Sequence, residues 1–243
     1  MSYVVTVLLT LAVVVGSLWW LRHRAFEAQV SSLATAIAKL RAMTTQEIRY
    51  RRPPAGTEVP PDLAGHFEAA SQELAREGFR ELGDALEEDA GGTVAGTTRW
   101  FADASGTVCG WFSVVAAQPP IPAMMLFSES AAGEFGVTTR GGSTIALVRP
   151  PSMHWLALGW ESGLAGTLDR HRGLLDPGAT LTRVATLEDA TGILARLRAA
   201  TARWRAAQPP ATLLEQDLRQ LLGGRYADLG RPLTERMTRE GAT

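Results

Sequence analysis

Residue types that often carry chemistry are scarce in this chain of 243 residues. Cys109 is its one cysteine, which excludes a disulfide within the chain and a thiolate site for zinc or an iron–sulfur cluster. Lysine also occurs once, at Lys39, because arginine supplies 23 of the 24 basic side chains. Since these arginines are scattered and the formal net charge is −1, we expect no nucleic-acid partner.

The familiar catalytic and phosphate-binding motifs are missing as well. The sequence contains no G-x-S-x-G nucleophile elbow, no H-E-x-x-H pair and no Walker A loop, since the glycines at 141–142 lack the lysine that such a loop needs. We therefore expect no metal and no cofactor. The sequence favours a protein without catalytic activity, with an enzyme built from scattered side chains as the alternative.

One long hydrophobic run stands out against the rest of the composition. Tyr3–Leu21 holds nineteen residues and no charge, and as a helix it would be about 28 Å long, close to a bilayer core of about 30 Å. The paired Trp19 and Trp20 suit a membrane interface and stand where a cleaved signal peptide needs small residues. The pattern predicts an uncleaved transmembrane anchor over residues 1–23, with a signal peptide or a buried core helix as alternatives.

The charges around this run predict its orientation. Seven basic side chains against two acidic ones give residues 22–52 a formal charge of +5, which leaves −6 for residues 53–243. Positively charged flanks stay on the cytoplasmic side of a membrane, and the basic residues here follow the run. We therefore expect a single-pass protein of the inner (plasma) membrane, of bacterial type, with its N-terminus outside and its main domain in the cytoplasm.

A basic juxtamembrane helix is expected over residues 24–52. Apolar residues recur in it at the 4, 3, 4, 3 spacing of a coiled-coil seam, namely Phe26, Val30, Leu33, Ile37 and Leu40. One interpretation is a short parallel coiled coil that forms a homodimer through residues 26–40, and the other is an amphipathic helix on the membrane or the domain. The arginines of this region are candidates for binding anionic lipid headgroups: Arg22, Arg24, Arg49, Arg51 and Arg52.

The rest of the chain predicts one globular domain. Residues 53–61 form a proline-rich spacer, residues 62–224 the cytoplasmic domain, and residues 225–243 a polar, flexible tail. Extended segments are predicted at 79–87, 97–103, 107–116, 123–129, 134–140, 144–149 and, less regularly, 153–158.

Helical patterns flank the extended segments on both sides in the sequence. Thr186 and Asp189 resemble a capping box that opens a long helix to about Ala206, and a last helix follows Pro209-Pro210. Short connections between the extended segments imply antiparallel neighbours. The fold class is therefore α+β: after the transmembrane and juxtamembrane helices, a mainly antiparallel sheet of about six strands with helices covering one face.

A few side chains of the domain are candidates for a site. His171 shares the apolar face of its helix, so it could act as a base or ligand together with His154 or Asp103, although a buried structural histidine fits the same pattern. Aromatic residues of the strands could line a ligand cleft beside His171, or they could pack in the core: Trp100, Trp111 and Phe112. Cys109 lies within a strand, where packing explains it.

These observations support three functional hypotheses. The first is a membrane-anchored, non-catalytic module whose cytoplasmic α+β domain binds a protein partner or a small ligand. The second is a membrane-tethered, hydrolase-like enzyme that uses His171 with His154 or Asp103. The third is a lipid-surface scaffold that binds through its basic juxtamembrane residues.

Overall fold

A computed structural model describes residues 2–45, 48–54, 59–89, 91–115, 119–141 and 147–240. Side chains are described from residue 20 onward, apart from residues 43, 45, 95 and 115 within the helices and strands. The chain divides into two compact units. A helical unit contains residues 1–43 and 208–243, and an α+β unit contains residues 44–207.

The α+β unit is built on a seven-stranded sheet whose strands follow one another in chain order. Each neighbouring pair is antiparallel except the last two strands, which are parallel. The strands are β1 (Ile48–Arg51), β2 (Arg80–Asp89), β3 (Val94–Ala102), β4 (Cys109–Val115), β5 (Ile121–Glu129), β6 (Phe135–Arg140) and β7 (Met153–Leu158). The predicted α+β class with a mainly antiparallel sheet is confirmed.

Helices complete both units. They are α1 (Ser2–Thr45), α2 (Pro61–Arg76), α3 (Leu164–Arg172), α4 (Leu187–Ala206), α5 (Pro210–Leu222) and α6 (Tyr226–Arg239). The predicted capping box at the start of α4 is confirmed, because Thr186 Oγ1 accepts a hydrogen bond from the Asp189 backbone N–H and the Asp189 carboxylate accepts one from the Thr186 N–H. This reciprocal pair satisfies two of the free N–H groups at the start of the helix.

Helices cover both faces of the sheet, and not one face as the sequence suggested. On the first face, α2 and α3 bury a cluster that includes Phe67, Phe112 and Leu168. On the second face, α4 buries a cluster that includes Trp100 and Ile193. Adjacent strand residues point to opposite faces, so the central strands β3, β4 and β5 contribute to two separate cores.

A tight turn joins β3 to β4 and brings polar groups to one end of the sheet. Gly106 has φ +73° in this turn, and a Cβ there would lie 2.8 Å from the carbonyl oxygen of Val184. The Gly106 carbonyl in turn accepts a hydrogen bond of 2.8 Å from the Val184 backbone N–H. Glycine is therefore required both for the turn conformation and for the close approach of the segment that precedes α4.

The helical unit is formed by α1, α5 and α6. Its apolar core contains the side chains Val30, Ala34 and Ile37 of α1, Leu214 and Leu218 of α5, and Leu229, Leu233 and Met237 of α6. Of the predicted seam residues, Val30 and Ile37 are buried and Phe26, Leu33 and Leu40 are partly buried. The homodimer through residues 26–40 stays a prediction.

Several predicted boundaries differ from the structure. The juxtamembrane helix ends at Thr45, and Ile48–Arg51 forms β1, which pairs with the acidic strand β2. The segment predicted as a flexible tail contains helix α6, because its apolar residues recur at helical spacing and are buried. The strand predicted at 144–149 falls largely on residues outside the described part, and 147–149 form no strand. In the spacer predicted at 53–61, residues 55–58 also lie outside the described part of the chain.

Of the helices in the described part of the chain, none combines the length and the apolar composition needed to cross a lipid bilayer. The predicted anchor over residues 1–23 falls mainly on Met1 and on the side chains of residues 2–19, which lie outside the described residues.

Candidate ligand cavity

A cavity of about 440 Å³ opens in the α+β unit, where the β3–β4 turn, the end of β5 and the segment after α3 meet. Its polar lining includes Asp103, Ser105 and Thr107 from the turn, Ser128 from β5 and His171 from α3. Aliphatic lining comes mainly from the segment after α3, including Leu175 and Leu181. This volume is typical of small-molecule sites, whereas the lining is more polar than usual, because eight of the fourteen lining residues are polar.

The segment after α3 is held against β5 by backbone hydrogen bonds. The Ala131 N–H donates to the Thr180 carbonyl at 2.8 Å, and the Thr182 N–H donates to the Glu129 carbonyl at 2.8 Å. These bonds flank an antiparallel bridge between Ser130 and Leu181. Backbone hydrogen bonds therefore attach this wall of the cavity to the end of β5, in addition to its side-chain contacts.

His171 lies at the buried end of the cavity and uses both ring nitrogens. Its Nδ1 is 3.0 Å from Thr138 Oγ1 on β6, and its Nε2 is 3.0 Å from Ser128 Oγ on β5. Ser128 Oγ also donates to the Thr107 carbonyl at 2.8 Å. The side chains of Ser128, Thr138 and His171 are all buried, so the sheet and α3 share one polar network under the cavity.

The hydrogen-bond donors of this network can be assigned from its chemistry. A carbonyl only accepts, so the one hydroxyl proton of Ser128 is committed to Thr107. His171 must then donate from Nε2 to Ser128, and the unprotonated Nδ1 accepts from the Thr138 hydroxyl. The result is a neutral imidazole with every ring nitrogen satisfied, and one remaining lone pair on Ser128.

Burial lowers the pKa of His171 from 6.5 to about 4, because desolvation disfavours the imidazolium. The positive charge of Arg172 lowers this pKa further, and Asp103 opposes the shift with a smaller effect. At pH 7 the imidazolium would lie about 4 kcal/mol above the neutral ring, at about 1.4 kcal/mol per unit. His171 is therefore neutral at neutral pH and a weak base.

Asp103, a predicted partner of His171, is used by its own turn. Its Oδ1 accepts from the backbone N–H groups of Thr107 at 2.8 Å and Val108 at 3.1 Å, and its Oδ2 accepts from the Ser105 hydroxyl at 2.8 Å. This is the role expected of an aspartate that opens a turn. Asp103 still contributes a negative charge to the cavity, because it is one of the lining residues.

The charged lining of the cavity is predominantly acidic. Glu77, Asp103 and Asp176 contribute carboxylates, and Arg172 contributes the one guanidinium among the described lining residues. Arg172 is half exposed, and its nearest carboxylate is that of Asp169 at 3.9 Å. The balance of charge therefore favours a cation, or a neutral hydrogen-bond donor, over an anion.

The structure does not bring His154 to this cavity. His154 lies on β7 opposite Gly136 of β6, which is in turn opposite Ser128. A Cβ at Gly136 would meet the side chains of Leu174 and Leu175, so these leucines pack over the sheet at that point. His154 is not among the residues that line the cavity, and the predicted pair of His171 with His154 is not formed there.

The predicted aromatic lining is divided between the two faces of the sheet. Trp100 is fully buried on the α4 side, where its Nε1 donates to Thr98 Oγ1 at 2.8 Å, and Trp111 packs against the same core. Phe112 lies on the opposite side and meets Phe67 edge to face at 5.2 Å. The four predicted residues Trp100, Trp111, Phe112 and His171 therefore do not line one cleft, because neighbouring positions of a strand alternate between faces.

Arg51 and Arg52, which were predicted to bind lipid, form ion pairs within the α+β unit. Arg51 contacts Glu88, and Arg52 Nε lies 3.0 Å from Glu188 Oε1. In the helical unit, the guanidinium of Arg24 lies 4.7 Å from the ring centre of Trp20. Arg22 is exposed and Arg49 lies on β1, opposite Glu88.

Cys109 has the structural role that the sequence indicated. Its side chain is fully buried in the core on the α4 side, and burial raises the pKa of its thiol to about 12. Such a thiol is inert at neutral pH. Among the described residues, no group of three or more histidine, cysteine, aspartate or glutamate side chains could hold a metal ion.

Sequence reasoning missed the two hydroxyl partners of His171. Ser128 had the pattern of a turn residue, and Thr138 was one position of a predicted strand. Both lie on the sheet face that packs against α3, since Leu126 of that face is two positions before Ser128 and directly opposite Thr138. A polar residue at an inward position of a strand was the available signal.

The fold and cavity define an α+β unit with a mainly antiparallel sheet between two helical layers and a polar cavity at one end. No protein-family model, curated protein or solved structure matches this chain. Function must therefore be argued from the site alone.

Proposed function

We propose that this chain is a membrane-anchored, non-catalytic module that binds a small molecule in the cavity beside His171. The observation that carries the proposal is the polar network under a cavity of about 440 Å³, in which all members are bonded and neutral. A fully satisfied network holds its groups in one arrangement. Such an arrangement supports selective binding more than it supports proton transfer.

The hydrogen bonds of His171 argue against general-base catalysis. A histidine that activates a serine accepts the hydroxyl proton at Nε2 and is oriented by a carboxylate at Nδ1. Here Thr138 occupies the position of that carboxylate, and Ser128 gives its proton to the Thr107 carbonyl. The lowered pKa of His171, about 4, further weakens the imidazole as a base.

The polar groups that line the cavity indicate the chemistry of the ligand. Ser128 offers the cavity a lone pair, and the carboxylates of Glu77, Asp103 and Asp176 only accept hydrogen bonds. A ligand that donates hydrogen bonds satisfies these groups, and a positive charge is attracted by three carboxylates against one guanidinium. A small primary amine in its protonated form fits this description.

Binding can be tested with three probes of the same length: butylammonium, butanol and butyrate. Full-length protein in lipid nanodiscs is titrated while the side-chain NMR signals of His171 are followed. Butylammonium is expected to shift these signals in a saturable manner with millimolar affinity, corresponding to about −4 kcal/mol, and butyrate is not. Asp103→Asn should weaken the affinity about tenfold, whereas Asp169→Asn, outside the cavity lining, serves as the matched control. Absence of saturable shifts with all three probes would contradict the binding function.

The anchor and its orientation are part of the proposal. Their support is the uncharged stretch Tyr3–Leu21, the arginines that follow it, and the continuation of the same helix, α1, to Thr45. We place the protein in the inner membrane with its N-terminus outside and the α+β unit in the cytoplasm. Extraction of membranes at alkaline pH should leave the full chain in the pellet, and release of the chain would contradict the anchor.

A hydrolase-like enzyme is the second candidate, because Ser128 Oγ lies 3.0 Å from His171 Nε2 at the edge of a cavity. Activation of Ser128 would require its proton to turn from Thr107 to His171 and the imidazole to change tautomer. An alkyl fluorophosphonate labels activated serines covalently. Labelling of Ser128 that disappears in His171→Gln would replace the binding proposal with the enzyme, and no labelling is the result that we expect.

A further inference from the structure

The apolar seam of α1 has the residue pattern of a parallel two-stranded coiled coil. When Phe26 is assigned to a d position of the heptad, Leu33 and Leu40 are the next d positions and Val30 and Ile37 are the a positions. Branching at Cβ in the a positions combined with leucine at two of the three d positions favours two parallel strands. This pattern indicates a second copy of the same helix as a fitting partner.

The structure shows the same seam covered by the chain itself. Val30, Ala34 and Ile37 are at most 6% exposed, and they pack with Leu214, Leu218, Leu229, Leu233 and Met237 of the C-terminal helices. Helices α5 and α6 thus occupy the surface that a second α1 would use. A side chain cannot fill both cores at once, so the two arrangements exclude each other.

Polar contacts hold this cover in one position. Arg41 Nε of α1 lies 3.4 Å from Asp217 Oδ2 of α5, whose side chain is fully buried. On the other helix, Arg236 Nη2 donates to Ser31 Oγ at 3.1 Å. A buried carboxylate is costly away from its cation, so slipped packings of α5 on α1 are disfavoured. The cover is therefore a specific docked hairpin and not a loose apolar contact.

We propose that residues 26–40 form an interaction surface for a second copy of this chain, and that the α5–α6 hairpin occludes it. Two heptads alone make a marginal coiled coil, so a second copy does not displace the docked hairpin. The chain therefore does not dimerise through this surface while the hairpin is docked. Undocking the hairpin exposes the seam, and two anchored copies in one membrane meet at high effective concentration in a parallel orientation. The C-terminal helices then act as an intramolecular inhibitor of dimerisation.

Crosslinking of the full chain in membranes tests the proposal. Ala36→Cys places a thiol at a g position beside the seam, and Thr35→Cys places one at the outer f position, as a matched control. Both residues are exposed in the covered state, and the native Cys109 is buried. A short bifunctional maleimide should therefore report a parallel coiled coil at position 36 and not at position 35.

With the native hairpin, little crosslinked dimer is expected at either position. Leu233→Asp places a charge in the core of the helical unit and should undock α6, raising the dimer fraction at position 36 about tenfold or more. Leu214→Asp should have the same effect from α5. Adding Ile37→Asp to either variant destroys the seam and should abolish the dimer.

Three outcomes would overturn the proposal. One is equal crosslinking at position 36 with and without the intact hairpin, which would mean that the hairpin does not occlude the surface. Another is crosslinking at positions 35 and 36 alike, which would mean unspecific association. The last is the absence of crosslinked dimer in both the Leu233→Asp and the Leu214→Asp variants while tryptophan fluorescence shows that the α+β unit is folded. Should the aspartate variants unfold that unit, Leu233→Ala and Leu214→Ala replace them under the same criteria.

Discussion

His171 in the α+β unit and Asp217 in the helical unit are both buried, but their polar atoms are satisfied in different ways. In the α+β unit, the buried His171 is neutral and bonded to two hydroxyls, and its pKa is lowered to about 4. In the helical unit, the buried Asp217 forms an ion pair with Arg41 at 3.4 Å. A neutral network can lie next to a cavity without demanding a counterion, whereas a buried ion pair specifies which surfaces dock.

This difference matches the roles proposed for the units. The network beside the cavity supports a binding site whose polar groups do not change protonation near neutral pH. The ion pair supports a packing arrangement that is lost when one partner is removed. Substitutions in each unit test this difference.

The largest effect is expected from Arg41→Met. This change removes the guanidinium that lies 3.4 Å from the buried Asp217 carboxylate, and the helical unit should lose about 3–5 kcal/mol of stability. Hydrogen exchange of the α5 and α6 amides measures the loss locally. The double variant Arg41→Met/Asp217→Leu should recover most of the stability, and a double variant as unstable as the single one would contradict the ion-pair explanation.

The next effect concerns pH and the α+β unit. His171 has a pKa of about 4 when folded and 6.5 when unfolded, so protons bind preferentially to the unfolded chain in acid. Its contribution to stability is complete above about pH 6.5 and is lost as the pH falls to about 4, by about 3 kcal/mol in total. Denaturant unfolding followed by tryptophan fluorescence measures this slope. His171→Gln should remove that component of the slope, and an unchanged slope would refute the assignment.

A smaller effect is expected from Thr138→Val, which keeps the shape of the side chain. Nδ1 of His171 loses its donor in this variant, and the α+β unit should be destabilised by about 1–3 kcal/mol. Thr139→Val, at the adjacent position on the other face of β6, is the control and should cost less. Equal losses in the two variants would mean that the Thr138 hydrogen bond contributes little.

The smallest effect is expected at the start of α4. Thr186→Ala removes the capping hydrogen bond to the Asp189 N–H, and the expected loss of stability is about 1 kcal/mol. Exchange of the first α4 amides should increase, while the His171 signals should stay unchanged. A change at His171 would show that the cap and the cavity network are coupled.

Features that depend on neighbouring residues could be predicted from the sequence. The β3–β4 turn and the capping box at Thr186 follow from residues within five positions of each other. Strand β1 could not be predicted, because four residues form it only by pairing with β2 about forty positions away. Helix α6 was predicted as a flexible tail for a similar reason. Its apolar residues are buried against α1, which lies about 200 positions earlier in the chain.

The candidate site was predicted only in part. His171 was singled out because its position on an apolar helix face implies burial, and the structure places it there. Its partners Ser128 and Thr138 lie on strands 43 and 33 residues away, so only the sheet register shows which hydroxyls meet the ring. His154, Trp100 and Trp111 were expected near His171, but the packing of Leu174 and Leu175 separates His154 from it, and the alternation of strand faces separates the tryptophans.

The proposed binding site depends on His171 being neutral and hydrogen-bonded at both ring nitrogens. Nitrogen NMR of the imidazole in the full-length protein at pH 7 tests it directly. We expect a protonated Nε2 that donates to Ser128 and an unprotonated Nδ1. A proton on Nδ1 with a free Nε2, or an imidazolium, would contradict it, because either state would free Ser128 for activation or require a charged partner.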